Sequence, residues 1–306
     1  MLANQQKRRL HLVVAVHVVE AEYGSEGVTK ALRKACEERN VKLHTLKPIT
    51  QTHQSLLARV RDATARHDVV TFLRNRAIAN FAASMKCGSV LCGESADGTA
   101  ARILSSISKR VGAVVNADLG AADIRMHLTH GLPFFVHPMR SISRKEAAIY
   151  CRHRHIQLPC LPIAPPDNPR TIDACSEALV ASMVAERADA AINVIRAAQK
   201  LDAYPFSIPV SYNRGDKAQR IDAGRWRPSG AEACTGTAPH RLCSLCLTPV
   251  VAIGTGGSDD EEATAGQLCM NCRTNVVVPR DGEDGTSALR VWVNAIEQSS
   301  YDPYEE

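Results

Sequence analysis

The chain contains no run of the ~18 to 20 uncharged apolar residues that a membrane-spanning helix requires, so no membrane role is expected of it. Neither G-x-x-x-x-G-K-S/T nor G-x-G-x-x-G follows a strand-like segment, which removes the usual phosphate cradles of nucleotide-binding enzymes. There is no internal repeat, which sets aside repeat architectures. Charge of one sign is scarce as well: 37 Lys and Arg stand against 32 Asp and Glu, a formal net charge of +5. So modest an excess permits a polyanionic partner without requiring one. The basic start "MLANQQKRR" runs into an apolar stretch that mimics a secretory leader. His11, His17 and Glu20 interrupt that stretch and no small-residue cleavage site follows, so it reads as a buried first strand. An odd count of 11 cysteines, scattered through helix-like segments, suits no extracellular disulfide framework. The expected compartment is cytoplasmic.

What is present is the alternation of an α/β protein. "HLVVAVHVVE" reads as a strand, "SEGVTKALRKACEERN" as a helix with Ser25 as N-cap, and "VKLHTL" as a second strand, an opening that favours a parallel sheet. Helical spacing over about 52–66 and 72–86 precedes a short strand in "SVLCGE" and a helix in "SADGTAARILSSISKR". "LPFFVHPMR" is a further strand, and "SRKEAAIYCRHRH" a helix opened by a capping box of Ser143 and Glu146. The proline-rich "LPCLPIAPPDNP" reads as an extended loop, and Thr171 to about Leu201 as one or two helices. The expected organisation is an α/β domain over 1–210, a linker over 211–239, a small module over 240–280 with a disordered acidic insert at 253–266, and a tail over 281–306.

Cys243 and Cys246 form one Cys-x-x-Cys turn, and Cys269 and Cys272 another. Each turn aims two sulfurs at one point, and together they supply four thiolates for a tetrahedral site with metal–sulfur distances of about 2.3 Å. Four sulfurs leave no open coordination position, so the ion is expected to be structural zinc. A [4Fe–4S] cluster uses the same four ligands.

The other cysteines are less pointed. Cys36, Cys151 and Cys175 lie where a helix would bury a small apolar side chain, and are expected in the core. Cys92 ends the "SVL" strand, where open parallel sheets place their ligands, and Cys160 sits in the proline-rich loop; these two are weak candidates for a catalytic thiol. Gly93, Ser95 and Asp97 occupy a strand-to-helix turn that could hold an anion or merely cap a helix. Arg140, Arg144, Lys145, Arg152 and Arg154 crowd a stretch whose single acid is Glu146, and Lys109 and Arg110 end the preceding helix. Such a cluster is either a face for a phosphate backbone or a solvated helix surface.

Taken in order, "GESADGTAARILSSISKRVGA", "HPMRSISRKEAAIYCR" and "RLCSLC" with "GQLCMNCR" resemble motifs of the cytoplasmic tRNA 2-thiolation protein 2 family. That family is the second subunit of the complex that installs sulfur on the wobble uridine of certain tRNAs. The likeness runs from about Val90 to Arg273, and in that family too an acidic or variable insertion parts the two knuckles. It implies a PP-loop ATP pyrophosphatase-like parallel sheet plus a C-terminal zinc ribbon. Catalytic members of that fold hold ATP on a Ser-Gly-Gly turn after the first strand, adenylate the uridine oxygen and replace it with sulfur. No Ser-Gly-Gly precedes "HLVVAVHVV", so the expected core is N-terminally truncated, without its PP-loop, and ATP is not expected to bind this chain alone. Where the catalytic sister subunit has a Cys-x-x-Cys, "HDVVTFLRNRAI" has His67 and Val70, and Cys160 falls near that subunit's remaining cysteine.

The resemblance thus implies a subunit needed for 5-methoxycarbonylmethyl-2-thiouridine in tRNA Lys, Glu and Gln. Such a chain binds tRNA through Arg140, Arg144, Lys145, Arg152 and Arg154 and forms a heterodimer with a catalytic PP-loop subunit, which takes sulfur from a ubiquitin-like thiocarboxylate carrier. Two other readings stay open: a stand-alone tRNA sulfurtransferase using Cys92 or Cys160, and a zinc-ribbon adapter with no tRNA role.

Overall fold

The computed structural model of the chain describes residues 13–19, 26–47, 49, 51–109, 111–112, 115, 120–156, 171–199, 241–243, 245–250, 268–269, 271–276, 291–292 and 294–295. Ser25, Arg110, Cys160, the stretch 211–239, the insert 253–266 and most of the tail 281–306 lie outside the described residues.

The β-branched run at the start forms β1 (Val14–Val18), which pairs in parallel with β2 (Lys42–Leu46) after a crossover through α1 (Glu26–Glu37). The expectation of a buried first strand is corrected. All five residues of β1 are half-buried, and β2 is its one strand neighbour among the described residues. Helices α2 (Gln51–Leu57) and α3 (Ala63–Ser84) follow. The sequence placed the break between them near 67–71, but it falls at 58–62, because the Asp62 carboxylate accepts the Ala65 amide at 2.6 Å and starts α3 there. At its far end Lys86 turns left-handed (φ 56°), and the Cys87 amide donates back to the Ala82 carbonyl at 2.8 Å, closing the last turn.

A second sheet runs β3–β5–β4. β3 (Ser89–Leu91) and β5 (Phe134–Val136) are parallel, whereas β4 (Ala122–Asp123) is antiparallel to β5. The parallel expectation therefore holds for two pairs and fails for β4, a strand of two residues too short to show any periodicity. α4 (Ala96–Ser108) links β3 to this region. α5 (Arg125–His130), which the sequence reading missed, ends on Gly131 with φ 66°, a left-handed cap that glycine adopts without a Cβ penalty. α6 (Arg144–His153) begins with the anticipated capping box. The stretch after Thr171 is two helices, α7 (Ile172–Glu186) and α8 (Ala190–Ala198), and β6 (Arg241–Leu242) and β7 (Pro249–Val250) form an antiparallel hairpin ahead of a short π-helical turn, Cys272–Val276. Among the described residues no helix is long and apolar enough to cross a membrane.

Two apolar cores hold most of this together. In one, Ala96, Ala100 and Ile103 of α4 pack on Val180 of α7 and on Ala191 and Ile195 of α8. Alanine at the crossing points lets the helix backbones approach closely. In the other, Leu56, Val60, Val69 and Leu73 of the α2–α3 region pack on Cys243, Leu245, Cys269, Cys272 and Trp292. The buried His53 ring on α2 reaches the Ala295 carbonyl at 2.9 Å across the same seam. The free cysteines expected in the core are not there. Cys36 and Cys151 are half-exposed and Cys175 is exposed, because α7 turns Ser176 and Val180 inward and so points Cys175 outward.

One partly buried ion network ties three helices. Lys109, at the end of α4 and only 9% exposed, lies 2.6 Å from Asp68 Oδ1 of α3 and 2.7 Å from both Asp173 oxygens of α7, and Ser105 Oγ donates to Asp173 Oδ1 at 2.6 Å. Lys109 is thus withdrawn from the positive face assigned to it from sequence. Burial alone would raise both carboxyls. At Asp173 the hydrogen bonds from Lys109 and Ser105 and the lysine charge outweigh it, so that group sits below its ordinary range, while Asp68, with one bond to Lys109, stays above its own. Replacing Lys109 by alanine leaves two carboxylates facing each other without a cation. The urea midpoint is expected to fall by the equivalent of roughly 2–4 kcal/mol with an unchanged m-value, and a variant as stable as wild type would show the network to be idle.

Candidate metal centre and cleft

The hairpin β6–β7 creates the first knuckle. The Cys243 amide donates to the Thr248 carbonyl at 2.8 Å and the Leu247 amide to the Cys243 carbonyl at 3.0 Å, with Leu247 held left-handed at φ 55°. A leucine there carries backbone strain that glycine would not, and its burial in the apolar cluster with Ala79, Met126 and Phe135 offsets it. In the second knuckle the Cys272 amide donates to Cys269 Sγ at 3.4 Å, and Cys246 Sγ lies 3.4 Å from Cys269 Sγ. All four sulfurs of Cys243, Cys246, Cys269 and Cys272 fall within 4.8 Å of one another. A tetrahedron with ligand distances of about 2.3 Å has edges of about 3.8 Å, so the donor set fits one tetrathiolate ion. The sulfurs are coupled through their hydrogen bonds, which pull the Cys243 thiol down and push the Cys272 thiol up.

Cys246 and Cys272 face a cleft of about 950 Å³. Its opposite wall is the carboxyl edge of the second sheet, the place where open α/β sheets take ligands. Glu94, just after β3, pairs with Arg102 of α4 at 2.7 Å, and the buried His137, just after β5, brings Nδ1 within 3.8 Å of the same Glu94 oxygen. Gly98 makes room for this pair, since a Cβ there would meet Glu94 Cγ at 3.0 Å. Beside them the Arg125 side chain holds Asp123 through two bonds of 2.9 and 2.7 Å, joined by the Arg125 amide at 3.0 Å. Burial would raise the Asp123 carboxyl, but the Arg125 charge and bonds outweigh it and hold the carboxyl low. The cleft floor is therefore a row of compensated charges.

The candidate site residues have places as follows, apart from Cys160 and Arg110, which lie outside the described residues. Cys92 lines the cleft, its amide donating to the Val136 carbonyl at 2.8 Å, and burial pushes its thiol above the ordinary range, against the thiolate that a nucleophile needs. Gly93 and Ser95 lie on the same wall, and Ser95 caps α4. Two amides of that turn are already engaged, Ala96 N with the Ile142 carbonyl at 2.8 Å and Gly98 N with Ser95 Oγ at 3.5 Å. The Asp97 carboxylate accepts the Arg144 amide at 2.7 Å and so caps α6. His67 also lines the cleft. Arg144, Lys145, Arg152 and Arg154 are exposed on or beside α6, while Arg140 is half-buried. The sequence reading missed Glu94, Arg102, Asp123, Arg125 and His137. Only Gly98 and Arg102, four residues apart on one face of α4, with Glu94 a further four residues before them ahead of the helix, left a local trace.

No protein-family model matches the chain. Its relatives among curated proteins are named cytoplasmic tRNA 2-thiolation protein 2: that of Xenopus tropicalis is 28% identical over 203 residues, covering 66% of this chain and 34% of that protein. The human protein of the same name is 25% identical over 253 residues, covering 74% and 48%. The chain thus spans about a third to a half of the length of the curated relatives it matches. Among solved structures, the U34-tRNA thiolase NcsA from Methanococcus maripaludis with its [4Fe-4S] cluster is similar at a TM-score of 0.48 and 14% identity, over 65% of this chain and 66% of that one.

The reduced, purified chain is expected to retain one metal ion. A strong chelator, or Cys272→Ser, should release it and expose Trp292 as the shared core opens, read as a red shift in tryptophan emission. Cys92→Ser should keep the ion. A folded, metal-free chain with an unshifted emission would overturn the assignment.

Proposed function

We propose that the chain acts in cytoplasmic tRNA 2-thiolation, as a subunit that binds tRNA and pairs with a catalytic PP-loop partner. The sequence relationship to proteins named for that role, over two thirds of the chain, carries the proposal. In this reading the α/β core is a PP-loop ATP pyrophosphatase-like sheet, the modified position is the wobble uridine of tRNA Lys, Glu and Gln, and the partner receives sulfur from a ubiquitin-like thiocarboxylate carrier. Zinc is the ion for Cys243, Cys246, Cys269 and Cys272, and bound there it supplies a structural clamp with no open position for substrate.

Three features favour a supporting over a catalytic role. The described thiol in the cleft that lies outside the knuckles and nearest the sheet edge, Cys92, is disfavoured as a thiolate by burial. The first turn of α4, where a phosphate would sit, is capped by Ser95 and carries the Asp97 carboxylate. The Glu94–Arg102 and Asp123–Arg125 pairs neutralise the cations that would otherwise grip a triphosphate. Arg144, which lines the cleft, and Lys145, Arg152 and Arg154 on the outside form no ion pair with a described acid and are assigned to tRNA phosphates, with Arg140 contributing from its half-buried position.

The purified chain is expected to release no AMP from ATP and tRNA by itself, and to support thiolation when the catalytic subunit is added. AMP release by the chain alone would establish the stand-alone sulfurtransferase instead. Wobble 2-thiouridine, read by retardation in a mercury-containing gel, should be lost when the gene is deleted; unchanged thiolation would leave the zinc-ribbon adapter. Reversing charge at Arg144 and Lys145 should weaken tRNA binding and lower the salt slope by about 2, roughly one unit per lost phosphate contact.

A further inference from the structure

Helix α6 has no buried residue, although it is ten residues long and edges the cleft. At 100° per residue it divides into two arcs. Arg144, Ala147, Ala148 and Cys151 line the cleft. The opposite arc carries Lys145, Ile149, Tyr150, Arg152 and His153, with Arg154 capping its end. Two large apolar side chains stand exposed there: Ile149 (57%), with Lys145 and Arg152 on one side of it and His153 on the other, and Tyr150 (51%), at the edge of the arc between His153 and Arg154. The one acid on it, Glu146, is turned back on the helix start, where its carboxylate accepts the Ser143 amide at 2.8 Å and hydroxyl at 2.9 Å. The surface presented outward is therefore an aromatic ring with His153 and Arg154 beside it, and Ile149, Lys145 and Arg152 further round the helix.

We propose that Tyr150 is a base-stacking residue: α6 receives an unpaired nucleotide of an RNA, with Tyr150 against the face of the base, Arg154 on the adjacent phosphate, and Lys145 and Arg152, further round the helix beside Ile149, on phosphates along the same strand. This rests on the tRNA-binding reading above and adds to it the kind of RNA recognised, a looped or single-stranded segment. Stacking needs one exposed ring and tolerates hydrated cations around it. A protein partner of ordinary affinity needs about 800 Å² of desolvated surface on each side and a core poor in charge, which two apolar side chains among four or five cations do not provide.

Labelled RNA titrations with the full chain test this. The probes are a short stem–loop RNA and a blunt duplex of the same stem. Tyr150→Ala is expected to weaken stem–loop binding roughly 5- to 100-fold and leave duplex binding unchanged, while Tyr150→Phe stays within about twofold of wild type, since the ring and not the hydroxyl makes the contact. The salt slope should be the same for Tyr150→Ala as for wild type and lower for Arg152→Ala, because only the arginine displaces counterions. Wild-type stem–loop affinity in Tyr150→Ala, or equal losses on both probes, overturns the assignment with tRNA binding intact. If the wild-type chain binds neither RNA, the tRNA reading fails and the tyrosine assignment with it. Should Tyr150→Ala leave RNA affinity unchanged but abolish association with the catalytic subunit, α6 is a protein interface and the proposal is wrong.

Discussion

Four sulfurs gathered within 4.8 Å of one another are packed against Leu56, Val60 and Leu73, and most of the described architecture hangs on that junction. A pair of knuckles this small cannot bury enough apolar surface for itself. It takes the α2–α3 region as its core, adds Trp292 from the far end of the chain, and is latched by His53 on the Ala295 carbonyl. Residues some two hundred positions apart are thereby fixed around one point. The metal that fits there would act on the whole unit rather than on a detachable ribbon, because its ligands are also core residues.

The same junction forms one wall of the cleft. Opposite it, ordering comes from electrostatics rather than from apolar contact: Glu94 with Arg102, Asp123 with Arg125, and Lys109 with Asp68 and Asp173. Ions taken this far out of water persist only when paired, since an unpaired buried charge costs several kcal/mol. Pairing leaves the cleft interior without net attraction for an anion. The exposed arc of α6 is the reverse case, with cations that have no described acid beside them except Glu146, which is held in the capping box. The two surfaces share one helix and oppose each other in electrostatic character. In the proposed reading the outer one meets a polyanion, and the inner one is support.

Much of this was readable in advance. The capping box at Ser143 and Glu146, the βαβ opening and the four knuckle cysteines are signals carried by neighbours in sequence, and each is present. The failures share a cause. Lys109 looked like part of a basic surface because its partners, Asp68 and Asp173, are 41 and 64 residues away. Cys175 looked like core because small residues surround it, but which side of α7 faces inward is set by α4 and α8. β4, with two residues, has no periodicity to detect, and exists because β5 offers it an edge.

The sequence by itself determined the local chemistry: where helices start, which cysteines come in pairs, and where cations cluster along the chain. Those properties depend on side chains within about a turn of one another, where geometry follows from spacing alone. The tertiary structure decided which charges are spent on one another and which remain for a partner, and that the knuckles and the α2–α3 region are one core. Burial and pairing depend on long-range approach, and no spacing along a chain specifies the distance between groups that many residues separate.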